Sequence, residues 1–83
     1  MEYSLSNFNP MKKTIYSEEY KYTVTQLKKA RKETGLTQKE VAEKLGKPQS
    51  FVSKCESGQR RVDINELNEL ARIYKKSLSY FIR

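Results

Sequence analysis

Histidine is absent from these 83 residues and cysteine occurs once, as Cys55. A single cysteine excludes an intramolecular disulfide, and without histidine a zinc site lacks its usual donors, so neither metal nor cofactor is expected. The missing histidine also removes the commonest general base. There is no G-x-S-x-G elbow and no phosphate-cradling glycine loop, and the acids mostly fall beside Lys or Arg at helical spacing. No catalytic residue can be nominated, and a non-enzymatic protein is expected. No apolar run approaches 18 residues, so no membrane span is expected. The first residues show neither a continuous apolar stretch nor a small-residue cleavage site, so no secretory signal is read and the cytoplasm is the expected compartment.

What is present is charge, 33% of the chain, with a net value of +7. Its location matters more than its size. Residues 1–22 are balanced, residues 63–83 carry one excess positive charge, and residues 23–62 hold ten basic residues against four glutamates. A basic excess gathered in the central forty residues is what a phosphate-binding surface requires. A solvated basic face without a partner is the plain alternative.

Residues 1–16 have no clear period and read as an N-terminal arm, followed by one domain over 17–83. Ser17 is an expected N-cap, with Glu18 and Glu19 in the first turn, where the helix dipole favours acids. Tyr20, Val24, Leu27 and Ala30 share one face, and Gly35 stops this first helix, expected over 18–34. Thr37 and Glu40 form a capping box for a second helix with inner residues Val41, Ala42 and Leu45, ended by Gly46. Pro48 suits the first turn of a third helix, because its missing N–H would be unpaired there anyway. In that helix Val52 and Cys55 point inward, and Gly58 ends it. Asp63 caps a fourth helix carrying Ile64, Leu67, Leu70, Ala71 and Tyr74, and Ser77 opens a short fifth over Leu78–Ile82. No segment alternates with period two. The fold class is therefore all-α, five helices with short connections. The expected core is Leu27, Ala30, Val41, Ala42, Leu45, Val52, Ile64, Leu67, Leu70, Ala71 and Phe81.

The most specific stretch is Gln38 to Ser57, QKEVAEKLGKPQSFVSKCES. Two helices meeting at a sharp angle need a small residue at their crossing, supplied by Ala42. Their turn needs a residue tolerant of a left-handed backbone, supplied by Gly46. Val41, Leu45, Val52 and Cys55 would lock the angle and leave Gln49, Ser50, Ser53 and Lys54 outside. A third helix so rich in amide, hydroxyl and ammonium groups can reach base edges in a major groove. Phe51 has two readings: packing under the connection between the third and fourth helices, which is favoured, or contact with a thymine methyl. Cys55 reads as a small core residue.

The pieces LTQKEVAEKLG, PQSFVSKCESG and ELNELARIY resemble the lambda-repressor-like helix-turn-helix DNA-binding domain of phage repressors, Cro proteins and XRE-type regulators. The resemblance spans residues from about 20 to 82. It implies that Gln49, Ser50 and Lys54 read bases, and that Thr37, Gln38, Lys39, Arg60 and Arg61 contact backbone phosphates, Gln38 also bracing the third helix. It implies as well that Arg31 and Glu56 form a partly buried ion pair joining the first helix to the third. Three positions depart from the common pattern: Pro48 where relatives often carry Ser or Thr, Tyr74-Lys75-Lys76 where many read Leu-Gly-Val, and Cys55 in place of a bulkier residue. A segment like MKKTIYSEEY commonly opens related regulators, so Met11 is an alternative start.

One helix of this kind spans few base pairs, so a homodimer on a palindromic double-stranded DNA operator is expected, with Leu78, Tyr80 and Ile82 as its interface. The expected function is that of a small dimeric transcription regulator, most simply a repressor. The alternative is an antitoxin, or a restriction-modification controller, that binds a protein partner as well as its operator. Tyr3, Phe8, Tyr16, Tyr20 and Tyr22 would anchor such a partner.

Overall fold

Helix punctuation comes first, because it fixes where each functional side chain stands. The structure, a computed structural model, describes residues 17–83. The arm expected over residues 1–16, with Tyr3, Phe8 and Tyr16, lies outside the described residues. Ser17 Oγ accepts the Tyr20 N–H at 3.1 Å and opens α1, Glu18–Thr34. Thr37 and Glu40 exchange two bonds of 2.8 and 3.0 Å, a capping box that starts α2, Gln38–Leu45. Asp63 and Glu66 form a second capping box, which starts α4, Ile64–Tyr74. Between them lies α3, Gln49–Ser57. Gly46 turns the chain from α2 into α3 with a left-handed φ of 71°, a conformation that a side chain would strain. Lys75 takes the same left-handed conformation after α4, at φ 58°. The turn thus keeps the geometry a glycine would give it, at a strain of roughly 1 kcal/mol for the Cβ.

Pro48 stands one position earlier than expected. It is the N-cap of α3 and not its first helical residue; its backbone is extended, and its carbonyl accepts the Phe51 N–H at 3.0 Å. The expected fifth helix over Leu78–Ile82 is also corrected, so the described residues hold four α-helices and one 3₁₀ turn, Leu78–Phe81. The segment is too short for an i→i−4 ladder. It is closed instead by three-residue bonds, from Tyr80 N to Ser77 O and from Ile82 N to Ser79 O. Among the described residues there is no strand, and no helix is long and apolar enough to cross a membrane.

The core gathers Leu27 and Ala30 of α1, Val41 and Ala42 of α2, Phe51, Val52 and Cys55 of α3, Leu67, Leu70, Ala71 and Tyr74 of α4, and Phe81. Two expected members differ. Ile64 is 57% exposed. It is the first residue of α4, and the inward stripe of that helix starts one turn later at Leu67. Leu45, at the end of α2, is half-buried against the core edge. The buried face of α1 is also rotated from its hydropathy stripe. Thr23 and Gln26 are buried, whereas Tyr20 and Val24 are half-buried. The cause is tertiary. Thr23 Oγ1 donates to the Phe81 carbonyl at 2.6 Å and Gln26 Nε2 to the Tyr80 carbonyl at 3.3 Å, so two polar side chains satisfy backbone groups of the C-terminal turn.

Candidate nucleic-acid interface

α3 is two-faced. Phe51, Val52, Cys55 and Glu56 are buried, while Gln49, Ser50 and Lys54 are exposed and Ser53 is half-buried. Gln49 and Ser50 occupy its first turn, at the positive end of the helix dipole. Three donor-bearing side chains therefore leave the body of the protein along one helix face. Burial pushes the Cys55 thiol up to about 11, so it stays protonated and unreactive at neutral pH.

The buried carboxylate on the other face of α3 holds three elements together. Glu56 accepts from Arg31 Nε at 2.7 Å and from Arg31 Nη2 at 3.0 Å, a two-point contact between α1 and α3. Gln38 Nε2 donates to the same carboxylate at 3.1 Å, adding the first residue of α2. Arg31 Nη1 donates to the Leu36 carbonyl at 3.0 Å. Side-chain exposures of 14% for Arg31 and 4% for Glu56 place the pair largely out of water. Its hydrogen bonds to Glu56 hold the Arg31 guanidinium above the usual arginine range.

Around α3 the remaining predicted residues fall as follows. Thr37 and Lys39 are exposed at the start of α2, with the Thr37 hydroxyl engaged in its capping box, and Gln38 is half-buried between α2 and Glu56. Arg60 and Arg61 lie on the α3–α4 loop, both exposed. That loop is held at both ends. The Gln59 and Arg60 N–H groups donate to the Lys54 carbonyl at 2.9 and 3.2 Å, and the Val62 N–H donates to the Tyr20 hydroxyl at 2.9 Å. Tyr20, an expected stripe residue or partner anchor, is thus a brace from α1, and the Arg61 guanidinium lies 5.1 Å from its ring centroid.

A second cluster escaped the sequence reading. Phe51 packs inward, with Lys47 Nζ 5.1 Å and the Arg60 guanidinium 4.6 Å from its ring centroid. Arg60 is also paired with Glu66 at 3.0 Å. The available signal was the capping-box spacing Asp63-x-x-Glu66, which brings a carboxylate back toward the loop. Nothing local showed that the Phe51 ring would meet two cations.

At the C-terminus, Leu78 and Tyr80 pack against the core edge, and the Tyr80 ring meets Phe81 edge to face at 5.0 Å. Only Ile82 of the three expected interface residues is strongly exposed, at 49%.

The fold and this surface define a class, the helix-turn-helix DNA-binding regulators. The helix-turn-helix family matches residues 27–81, and the chain belongs to it, as a member of the XRE type. It is similar to a solved structure of an XRE-family like protein from Pseudomonas syringae pv. tomato str. DC3000, at 40% identity and a TM-score of 0.71. The match covers 76% of this chain and 77% of that one. No protein of curated function matches the chain.

Proposed function

We propose that this protein is a small transcription regulator, acting as a repressor, that binds a palindromic double-stranded DNA operator as a homodimer. The observation that carries the reading is the two-faced α3. Its inner face is fixed by Val52, Cys55 and the Arg31–Glu56 pair, and its outer face offers Gln49, Ser50 and Lys54 to bases. In this reading Gln49 and Ser50 enter the major groove first, and Lys54 follows one turn later. Thr37, Gln38, Lys39 and Arg61 hold the sugar-phosphate backbone on either side, and the excess of positive charge in residues 23–62 supplies the sequence-independent attraction.

Selection of binding sites from random duplex DNA tests this directly. One inverted repeat should emerge. Against it, Gln49→Ala should lose on the order of 1–3 kcal/mol and relax preference at one position of each half-site. If Gln49→Ala binds every duplex as the wild type does, α3 is not the reading helix.

For the dimer, two copies of α3 must sit one DNA turn apart, roughly 34–36 Å. Ile82 is the side chain to probe. Leu78 and Tyr80 already pack on the core edge, so a charge at either position would disturb the fold as well as a partner. Ile82→Glu is expected to weaken binding to the palindrome and leave binding to an isolated half-site unchanged, because a small apolar patch acts chiefly when both halves are on DNA. Unchanged palindrome affinity would remove the C-terminal segment as the dimer surface.

A further inference from the structure

Arg60 is basic, exposed on the loop beside α3, and stands where the resemblance implies a phosphate contact. Its guanidinium, in a side chain 43% exposed, nevertheless gives most of its donors to partners within the protein. Nη1 donates to the Arg61 carbonyl at 2.7 Å and to Glu66 Oε1 at 3.0 Å, and Nη2 donates to Glu66 Oε2 at 3.3 Å. Both hydrogens of Nη1 and one of Nη2 are thereby used, and the guanidinium carbon stands over the Phe51 ring, 4.6 Å from its centroid. Glu66 is itself fixed, since Oε1 also accepts the Asp63 N–H at 3.1 Å in the capping box of α4. Charge balance leads the same way. Glu66 neutralises the cation at contact distance, and hydrogen bonding to that carboxylate holds the Arg60 guanidinium above its usual range. Counter-ion release depends on positive charge brought to a phosphate, and Glu66 already offsets that of Arg60.

We propose that Arg60, Phe51 and Glu66 form a clasp that positions the reading helix α3 against α4, so that Arg60 serves base reading indirectly and is not a phosphate contact. The inference deepens the DNA-binding reading and rests on it. The contact gives a reason for the aromatic residue that follows Gln49 and Ser50 in α3: its ring stands against the guanidinium that reaches Glu66 of α4. Arg60 is bound to α3 by its backbone, through the Lys54 carbonyl, and to α4 by its side chain. Arginine is specifically required, because lysine offers neither a planar face for the ring nor a two-point fork for the carboxylate.

The test uses the full chain, its selected operator and a random-sequence duplex, with affinities measured across a salt series well below the unfolding temperature. Arg61→Ala should weaken both duplexes and flatten the salt slope by about 0.9, the share of one phosphate. Arg60→Ala should behave differently, weakening the operator about tenfold, the scale of one misplaced base contact, while the salt slope keeps its wild-type value and the random duplex shows only the small loss that the unmasked Glu66 charge brings. Arg60→Lys should not rescue it. Glu66→Gln keeps an oxygen for the Asp63 N–H but removes the charge, and should reproduce the operator loss; combined with Arg60→Ala, it should add nothing further. A salt slope flattened by Arg60→Ala as much as by Arg61→Ala, rescue by lysine, or additive losses would each overturn the clasp. A wild type with no preference for its operator over the random duplex would instead remove the DNA-binding reading itself.

Discussion

Glu56→Ala is expected to lower the stability of the domain by about 3 kcal/mol, at the lower end of the range for breaking a buried pair from one side. In a domain of this size that corresponds to a melting temperature lower by on the order of 15 °C. The reason is the number of groups left behind. Arg31, only 14% exposed, loses both carboxylate bonds and keeps one to the Leu36 carbonyl, and the half-buried Gln38 amide loses its acceptor. A stranded cation in a poorly solvated site is worse than no cation, so Arg31→Met in the Glu56→Ala background should recover part of the loss. Glu43→Ala is the control: Glu43 is exposed on α2, and its loss should change stability by less than about 0.5 kcal/mol. Equal melting temperatures for Glu56→Ala and Glu43→Ala would show that the three-helix junction is not held by this carboxylate.

The second large effect is expected at Phe81. Its side chain is fully buried, meets Tyr80 at 5.0 Å and Tyr74 at 6.5 Å between centroids, and its carbonyl accepts the buried Thr23 hydroxyl. Truncation to alanine should cost about 3–5 kcal/mol through lost transfer energy and the cavity left behind. For a domain near the lower end of stabilities at this length, that is a large part of the whole. Ile82→Ala, one residue further on and half exposed, should change stability little. Thermal or denaturant unfolding of the two variants decides the matter: similar losses would mean that the C-terminal turn is not the closing layer of the core. A large loss at Phe81 with none at Ile82 would also justify using Ile82 alone to probe the dimer.

The two experiments separate two kinds of knowledge about this protein. Sequence alone determined most of the helix ends, because they depend on chemistry confined to a few neighbouring residues. Ser17, Thr37 and Asp63 each cap through an oxygen three residues from its donor, and Gly35, Gly46 and Gly58 each take a left-handed conformation that local sterics favour. The outward row Gln49, Ser50 and Lys54 was legible for the same reason: helical periodicity separates it from Val52 and Cys55.

Tertiary structure decided the rest. Thr23 and Gln26 displaced the apolar stripe of α1 because acceptors more than fifty residues away in sequence reach them, and no local pattern records such a partner. Ile64 looked like core by its place in the helical stripe of α4, but it begins its helix before the packed turn and remains in solvent. Leu78 and Tyr80 looked like a free apolar patch, and they pack on the edge of the core that Phe81 closes. Arg60 shows the division most clearly. Its charge was visible in the sequence, but whether that charge faces a phosphate or a carboxylate depends on where α4 brings Glu66, and that is set only when the helices pack.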